Sequence, residues 1–200
     1  MSTATAPRPP RMSFEEFLAW ADEDTRAEWV DGEVLLMSPA SDRHQDLLGL
    51  LVACVRAFAE AHQAGVVRFG PYVMKVPGSA REPDLIFVAE ENRGRITTNY
   101  LDGPADLAVE IVSPDSRTRD RRDKLREYES AGVREYWLID PEREQAEFYH
   151  LAADRRYAML PLEDGIVRSV ILPGLWIRVD WLWQEPLPPL LGVLREWGLV

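Results

Sequence analysis

Cysteine and lysine are almost missing from this chain. Cys54 is the one thiol among 200 residues, which excludes a disulfide framework. Its place in the apolar run Leu47 to Phe58 marks it as a buried structural thiol rather than a reactive one. No stretch approaches the roughly 18 apolar residues that cross a bilayer. Residues 1–10, rich in Ala, Thr and Pro, lack the apolar centre of a secretory signal, so the expected location is cytoplasmic, with no membrane partner. Internal repeats are absent, and low complexity is confined to those first ten residues. A net charge of -11 excludes a protein that grips nucleic acid through a global positive field, because phosphate neutralisation needs clustered Lys and Arg.

Lys75 and Lys124 are the only lysines, so arginine carries nearly all the positive charge. Two explanations stay open: compositional chance, or the need at one of these positions for a compact ammonium with a movable proton, which Arg does not offer. The charge is also uneven. Arg117, Arg119, Arg121, Arg122, Lys124 and Arg126 fall within ten residues and outnumber Asp115, Asp120 and Asp123. A solvated face balanced by those aspartates is favoured over a track for a nucleic-acid backbone.

What is present is core material. An apolar fraction of 46% with seven Trp suits one globular domain that folds without metal or disulfide staples. The expected organisation is a disordered tail over 1–12, a mixed α/β domain over 13–185, and an extension over 186–200. The apolar stretch Leu187 to Val200 is a candidate homodimer contact. Trp137, Trp176, Trp181, Trp183 and Trp197 sit in apolar settings that favour core or dimer packing over base stacking.

Local signals give an element order. Ser13 and Glu16 form a capping box ahead of Phe17, Leu18 and Trp20. Ala27 to Ser38 alternates around Asp31-Gly32 and reads as a hairpin, with Glu33 just past its turn and Glu28 as a surface charge. A long helix is expected over Asp42 to Gln63, with Leu47, Leu48, Leu51, Val55, Phe58 and Ala59 on one face and His44 in its first turn. Short strands follow at Val66 to Phe69, Tyr72 to Val76 and Asp84 to Val88, then a charged loop or short helical piece from Glu90 to Leu101. Leu107 to Val112 and Arg134 to Ile139 read as central strands around a helix from about Ser116 to Ala131, which Gly132 stops. Gln145 to Leu151 and Arg156 to Leu160 suggest an edge hairpin, and a short terminal helix is expected around Leu190 to Trp197.

Two carboxylates stand out against this pattern. Glu110 lies inside the run Leu-Ala-Val-Glu-Ile-Val, where an ionised group costs several kcal/mol unless it is paired, hydrogen-bonded or bound to a cation. Asp84 opens an apolar strand directly after Pro83, which puts a carboxylate at the rim of the sheet. Two carboxylates from adjacent strands suit a hard divalent cation. Lys124 is four residues from both Asp120 and Tyr128, so the three share one helix face. The alternatives at this level are a capped turn at Asp84, a buried Arg partner for Glu110, and a solvated helix face with Tyr128 anchored in the core. His62 and His150 read as structural.

The text Asp31-Gly32-Glu33, Met37-Ser38-Pro39 with His44, Pro83-Asp84 and Val109-Glu110-Ile111-Val112-Ser113-Pro114 resembles the Uma2 family of the PD-(D/E)xK nuclease superfamily. The resemblance continues through Asp120, Lys124, Tyr128 and Gly132 to Pro141, covering roughly residues 13 to 150. It implies a restriction-endonuclease-like core with a central mixed sheet flanked by helices. It further implies a phosphodiesterase, with DNA as the substrate ahead of RNA, in which Asp84, Glu110 and the backbone carbonyl of Ile111 bind Mg²⁺ or Mn²⁺. The superfamily's lysine two residues after the Glu is Val112 here, and Lys124 on the following helix is the matching replacement. Tyr128 would orient Lys124 or touch a phosphate, and Glu33 and His44 are further candidates. The incomplete motif and the acidic charge leave open a catalytically silent binding or assembly module on the same fold.

Overall fold

The computed structural model describes residues 11–22, 25–113 and 119–200. Residues 1–10 of the tail expected over 1–12, and Asp115, Arg117 and the start of the helix near Ser116, lie outside the described residues.

Helix α1 (Phe14–Trp20) begins at the expected capping box, with Ser13 and Glu16 satisfying each other's backbone N–H groups. Strands β1 (Ala27–Val30) and β2 (Glu33–Leu36) pair antiparallel with Val30 opposite Glu33. Asp31 and Gly32 both take positive φ, 46° and 89°, the condition a two-residue turn must meet to match the twist of its strands. Helix α2 (Asp42–Ala61) is capped by Ser41, whose side chain accepts from the His44 N–H. Next come β3 (Gly65–Phe69), β4 (Val73–Val76), β5 (Ser79–Arg81) and β6 (Leu85–Ala89). The charged stretch after them forms a 3-10 helix, Glu90–Arg95, and then β7 (Tyr100–Asp102), a strand that the charge pattern concealed.

The central strands are β8 (Leu107–Ile111) and β9 (Glu135–Asp140). Between them lies not one regular helix but a π-helical segment, Arg119–Lys124, that runs into α3 (Leu125–Ala131). Gly132, at φ 91°, stops it as expected. Strands β10 (Gln145–Leu151) and β11 (Tyr157–Met159) make the edge hairpin, and β12 (Leu162–Glu163), β13 (Ile166–Arg168) and β14 (Trp176–Arg178) a small separate sheet. A 3-10 helix, Val179–Trp183, and helix α4 (Leu190–Glu196) complete the described chain.

The six-stranded sheet has the order β11-β10-β9-β8-β6-β3, with β8 and β9 parallel and the remaining pairs antiparallel. Residue parity divides its two faces. Leu85, Phe87, Leu107, Val109, Trp137 and Ile139 pack with Leu47, Leu51, Val55 and Phe58 of α2. Ile86, Val88, Ala108, Val112, Tyr136 and Leu138 share the opposite cluster with Tyr128 of α3. Glu110 falls between Val109 and Ile111, so parity turns it toward α3. The second sheet, β2-β1-β5-β4-β7, places β1 between two partners.

The segment expected as a C-terminal extension packs on its own chain. Val193 joins Cys54 and Trp181 in one cluster, and Leu187, Trp197 and Leu199 lie against the main core. Much of its apolar character is therefore used within the molecule, while Leu191 and Val200 stay exposed. Trp137 and Trp181 are buried as expected, while Trp176, Trp183 and Trp197 are half-buried. Cys54 is buried, and desolvation pushes its thiol up to about 12, which suits an inert structural role.

Candidate active site

The chemistry-bearing residues meet where the start of β6, the C-terminal half of β8, the start of α2 and the π-to-α junction converge. Glu110 accepts from both of its expected neighbours: Lys124 Nζ is 2.8 Å from Oε2 and the Tyr128 hydroxyl 2.7 Å from Oε1. Asp120 Oδ1 lies 3.3 Å from Lys124 Nζ. The face expected of a regular helix thus persists, although a π-helical segment supplies part of it.

Asp84 occupies the rim. Its Oδ1 is 3.0 Å from His44 Nε2, and its Oδ2 accepts the Ile111 N–H at 2.7 Å. A strand residue carries its N–H and C=O on the same side, so the Ile111 carbonyl also faces the β6 edge where Asp84 sits. Asp84, Glu110, Asp120, Lys124 and His44 line a recess of about 60 Å³, and Arg26 and Arg119 stand at the same recess.

Asp84, Glu110, Lys124, His44, Tyr128 and Ile111 are therefore brought together. Glu33 is not. It is exposed just past the hairpin turn, where it pairs with Arg11 at 3.1 Å, and the expectation that it joins the site is corrected. The hairpin contributes Glu28 instead. Reading Glu28 as a surface charge treated β1 as the edge of a simple hairpin, but β5 covers its other side and sets Arg81 beside it. Glu28 is fully buried, with Oε1 at 2.9 Å from Lys124 Nζ and Oε2 at 2.9 Å from Arg81 Nη1. The backbone N–H of Glu82 also donates to it at 3.3 Å. Arg81 in turn binds Glu127 of α3. The signal was present in the sequence: Glu28 is flanked by Ala27, Trp29 and Val30, the same anomaly that drew attention to Glu110.

The arginine stripe divides. Arg121 binds Asp140 at 2.9 Å and Glu147 at 3.0 Å, Arg119 approaches Glu28 Oε2 at 3.8 Å, and Arg122 and Arg126 are exposed. His62 is structural, with Nδ1 2.9 Å from the Phe58 carbonyl and its ring stacked on Phe58.

Three carboxylates, Glu28, Glu110 and Asp120, surround the Lys124 ammonium, Asp84 lines the same recess, and burial magnifies the repulsion among them. Desolvation raises the Glu110 carboxyl well above its ordinary range against the pull of Lys124, and Asp120, Asp84 and Glu28 act in the same direction as burial. Burial opposes charge on Lys124, but Glu110, Glu28 and Asp120 together raise it well above its usual value, so it stays an ammonium. Desolvation, Glu110 and Glu28 push the Tyr128 phenol upward, which keeps it a hydrogen-bond donor.

Among the described residues no three His, Cys, Asp or Glu side chains form a ready metal cage. That does not suit a structural zinc or calcium. It does suit a cation such as Mg²⁺, which keeps most of its water and takes one or two carboxylates plus phosphate oxygens. Asp84 and Glu110 are the groups able to hold it, since a carboxylate offers about four acceptor directions and each has two taken here by the bonds above.

A family model, Uma2, described as "Putative restriction endonuclease", matches residues 14–180. Among solved structures, the chain is similar to a "putative nuclease belonging to DUF820" from Anabaena variabilis ATCC 29413. The two are 16% identical with a TM-score of 0.74, over 86% of this chain and 97% of that one. That likeness gives the fold. No curated protein matches the sequence.

Proposed function

Because the chain belongs to the Uma2 family, we propose that it is a metal-dependent endonuclease that hydrolyses phosphodiester bonds in DNA at the Asp84–Glu110 recess. The observation that carries the reading is the pairing of Glu110 with a fully buried Lys124 ammonium beside a second, rim-placed carboxylate. Mg²⁺ or Mn²⁺, when bound, polarises a phosphate and makes its water more acidic. Asp84 and Glu110 supply the oxygen ligands, with the Ile111 carbonyl on the same edge. Asp84 is kept in place by the Ile111 N–H and by His44. Lys124 holds a fixed positive charge where negative charge develops on the phosphoryl oxygens. Arg26 and Arg119, each partly exposed at the recess, offer local positive charge for flanking phosphates that the acidic surface as a whole does not.

A second reading is a silent module on the same fold. It is favoured by one observation: Lys124 and Tyr128 already occupy both oxygens of Glu110.

The two separate in one experiment. Supercoiled plasmid and an RNA of matched sequence are incubated with Mg²⁺ or Mn²⁺ and the wild type, Asp84→Ala or Glu110→Gln. The expected outcome is metal-dependent cleavage of the DNA that falls at least about 100-fold in both variants, as for loss of transition-state charge stabilisation. Equal rates in all three proteins would overturn the nuclease reading. Absence of Mn²⁺ binding by calorimetry would support the module.

A further inference from the structure

Lys124 touches two glutamates at nearly equal distance, 2.9 Å to Glu28 and 2.8 Å to Glu110, and the two differ in every other respect. Glu110 lines the recess and is the group a cation draws on. Glu28 does not line it. Glu28 sits in a strand paired on both sides, is itself pinned through its other oxygen by Arg81, and receives the Glu82 N–H. Arg81 is fully buried and anchored to α3 through Glu127. A continuous chain of charge-assisted bonds therefore runs from α3 through Arg81 and Glu28 to Lys124. We propose that Glu28 is the positioning residue of this site, fixing the Lys124 ammonium independently of what Glu110 is bonded to.

The electrostatics agree with the geometry. Burial works to raise the Glu28 carboxyl, but Lys124 and Arg81, by charge and hydrogen bond, bring it down to about 2. Glu110 shares the same lysine without Arg81, and moves the other way. A ligand carboxylate that turns toward a cation gives up part of its hold on a neighbouring ammonium, because the two positive charges repel. A lysine held by Glu110 alone would then lose its place. Held by Glu28, with Asp120 at 3.3 Å as a third neighbour, it keeps it. The benefit to catalysis rests on the nuclease reading, whereas the anchoring of Lys124 does not.

The scarcity of lysine makes the test clean. In protein labelled with ¹⁵N-lysine there are two side-chain ammonium signals, and Lys75→Arg identifies the one from Lys124. A buried, bonded ammonium exchanges its protons slowly enough to be seen. The Lys124 signal is expected in the wild type and in Glu110→Gln, and is expected to vanish in Glu28→Gln. A signal that survives in Glu28→Gln, or one abolished by Glu110→Gln alone, would overturn the assignment. Glu28→Gln leaves Arg81 its bonds to Glu127, and near-ultraviolet dichroism from buried Trp137 reports whether it folds. If it does not, Glu28→Asp keeps the charge and withdraws it by one methylene, and an unmoved Lys124 signal there would equally overturn the assignment.

Kinetics then separate positioning from mere scaffolding. Loss of an outer-shell partner costs about 10- to 100-fold in activity, expected here in kcat with KM little changed, and partly restored in Glu28→Asp. A Glu28→Gln enzyme with the wild-type kcat would refute the role. A wild type that cleaves nothing refutes the nuclease reading, and the exchange measurement still decides whether Glu28 holds Lys124.

Discussion

The backbone N–H of Ile111 donates to Asp84 Oδ2 at 2.7 Å, tying the rim carboxylate to the strand that carries Glu110. The register explains why. Leu85 lies opposite Val109, so two residues further the pairing would set Ile111 opposite Pro83, where β6 has not yet begun. The Asp84 side chain takes the donor that the ladder leaves unpaired. One hydrogen bond thereby completes the sheet edge and orients a ligand.

Asp84 should accordingly have separable structural and chemical roles. Asp84→Ala leaves the buried Ile111 N–H without its acceptor, and the expected cost is about 1–3 kcal/mol in urea denaturation. Asp84→Asn can keep an acceptor oxygen there, so it should unfold near the wild-type midpoint while losing metal-dependent cleavage. Identical midpoints for Asp84→Ala and the wild type would show that the bond contributes nothing.

The strands that carry Asp84 and Glu110 were legible because each is an apolar run too long to be solvated on either face, and a carboxylate beside or inside such a run is conspicuous. Glu28 breaks an apolar stretch in the same way, but its burial depends on β5, and that strand was not legible. Ser-Ala-Arg is three residues long and carries a charge, so no periodicity marks it as a strand, and without β5 the strand β1 reads as an edge. Glu33 was attractive for its motif position, yet it faces solvent because the turn beside it ends the covered part of the hairpin. The tail over 186–200 showed its apolar character but not its partner. Which surface an apolar segment covers is a long-range relation, and α2 of the same chain supplied it. The π-helical segment left no trace in the spacing, since Asp120, Lys124 and Tyr128 share a face in either geometry.

Acid should dismantle the buried cluster partly through Glu28. Its carboxyl is lowered in the folded protein from 4.5 to about 2, so the folded state binds this proton less readily than the unfolded chain does. The stability it contributes is fully present above about pH 4.5 and is lost as pH falls toward 2. The stability gap between the wild type and Glu28→Gln should therefore narrow on acidification across that window, by about 3 kcal/mol for a shift of this size. About 2 kcal/mol of that change falls between pH 5 and pH 3, and urea titrations at those two values measure it. A gap that stays constant with pH would show that Glu28 titrates alike in the two states, and that Lys124 and Arg81 do not hold its charge.

Metal should stabilise the fold, and the pattern among variants should trace the ligands. A cation that binds the native recess and not the unfolded chain adds about 2.7 kcal/mol at a concentration 100 times its Kd. For a chain of 200 residues that corresponds to a rise in Tm of about 5–10 °C. Mg²⁺ must share Glu110 with Lys124, so the weakened ion pair raises Kd and with it the metal concentration at which this rise is reached. Asp84→Asn should abolish the rise. Glu33→Gln should retain it in full, because Glu33 is exposed and bound to Arg11 rather than directed into the recess. Thermal scans of the three proteins with and without Mg²⁺ distinguish the site assembled by the fold from the one suggested by motif position, and a rise lost in Glu33→Gln but kept in Asp84→Asn would reverse the assignment.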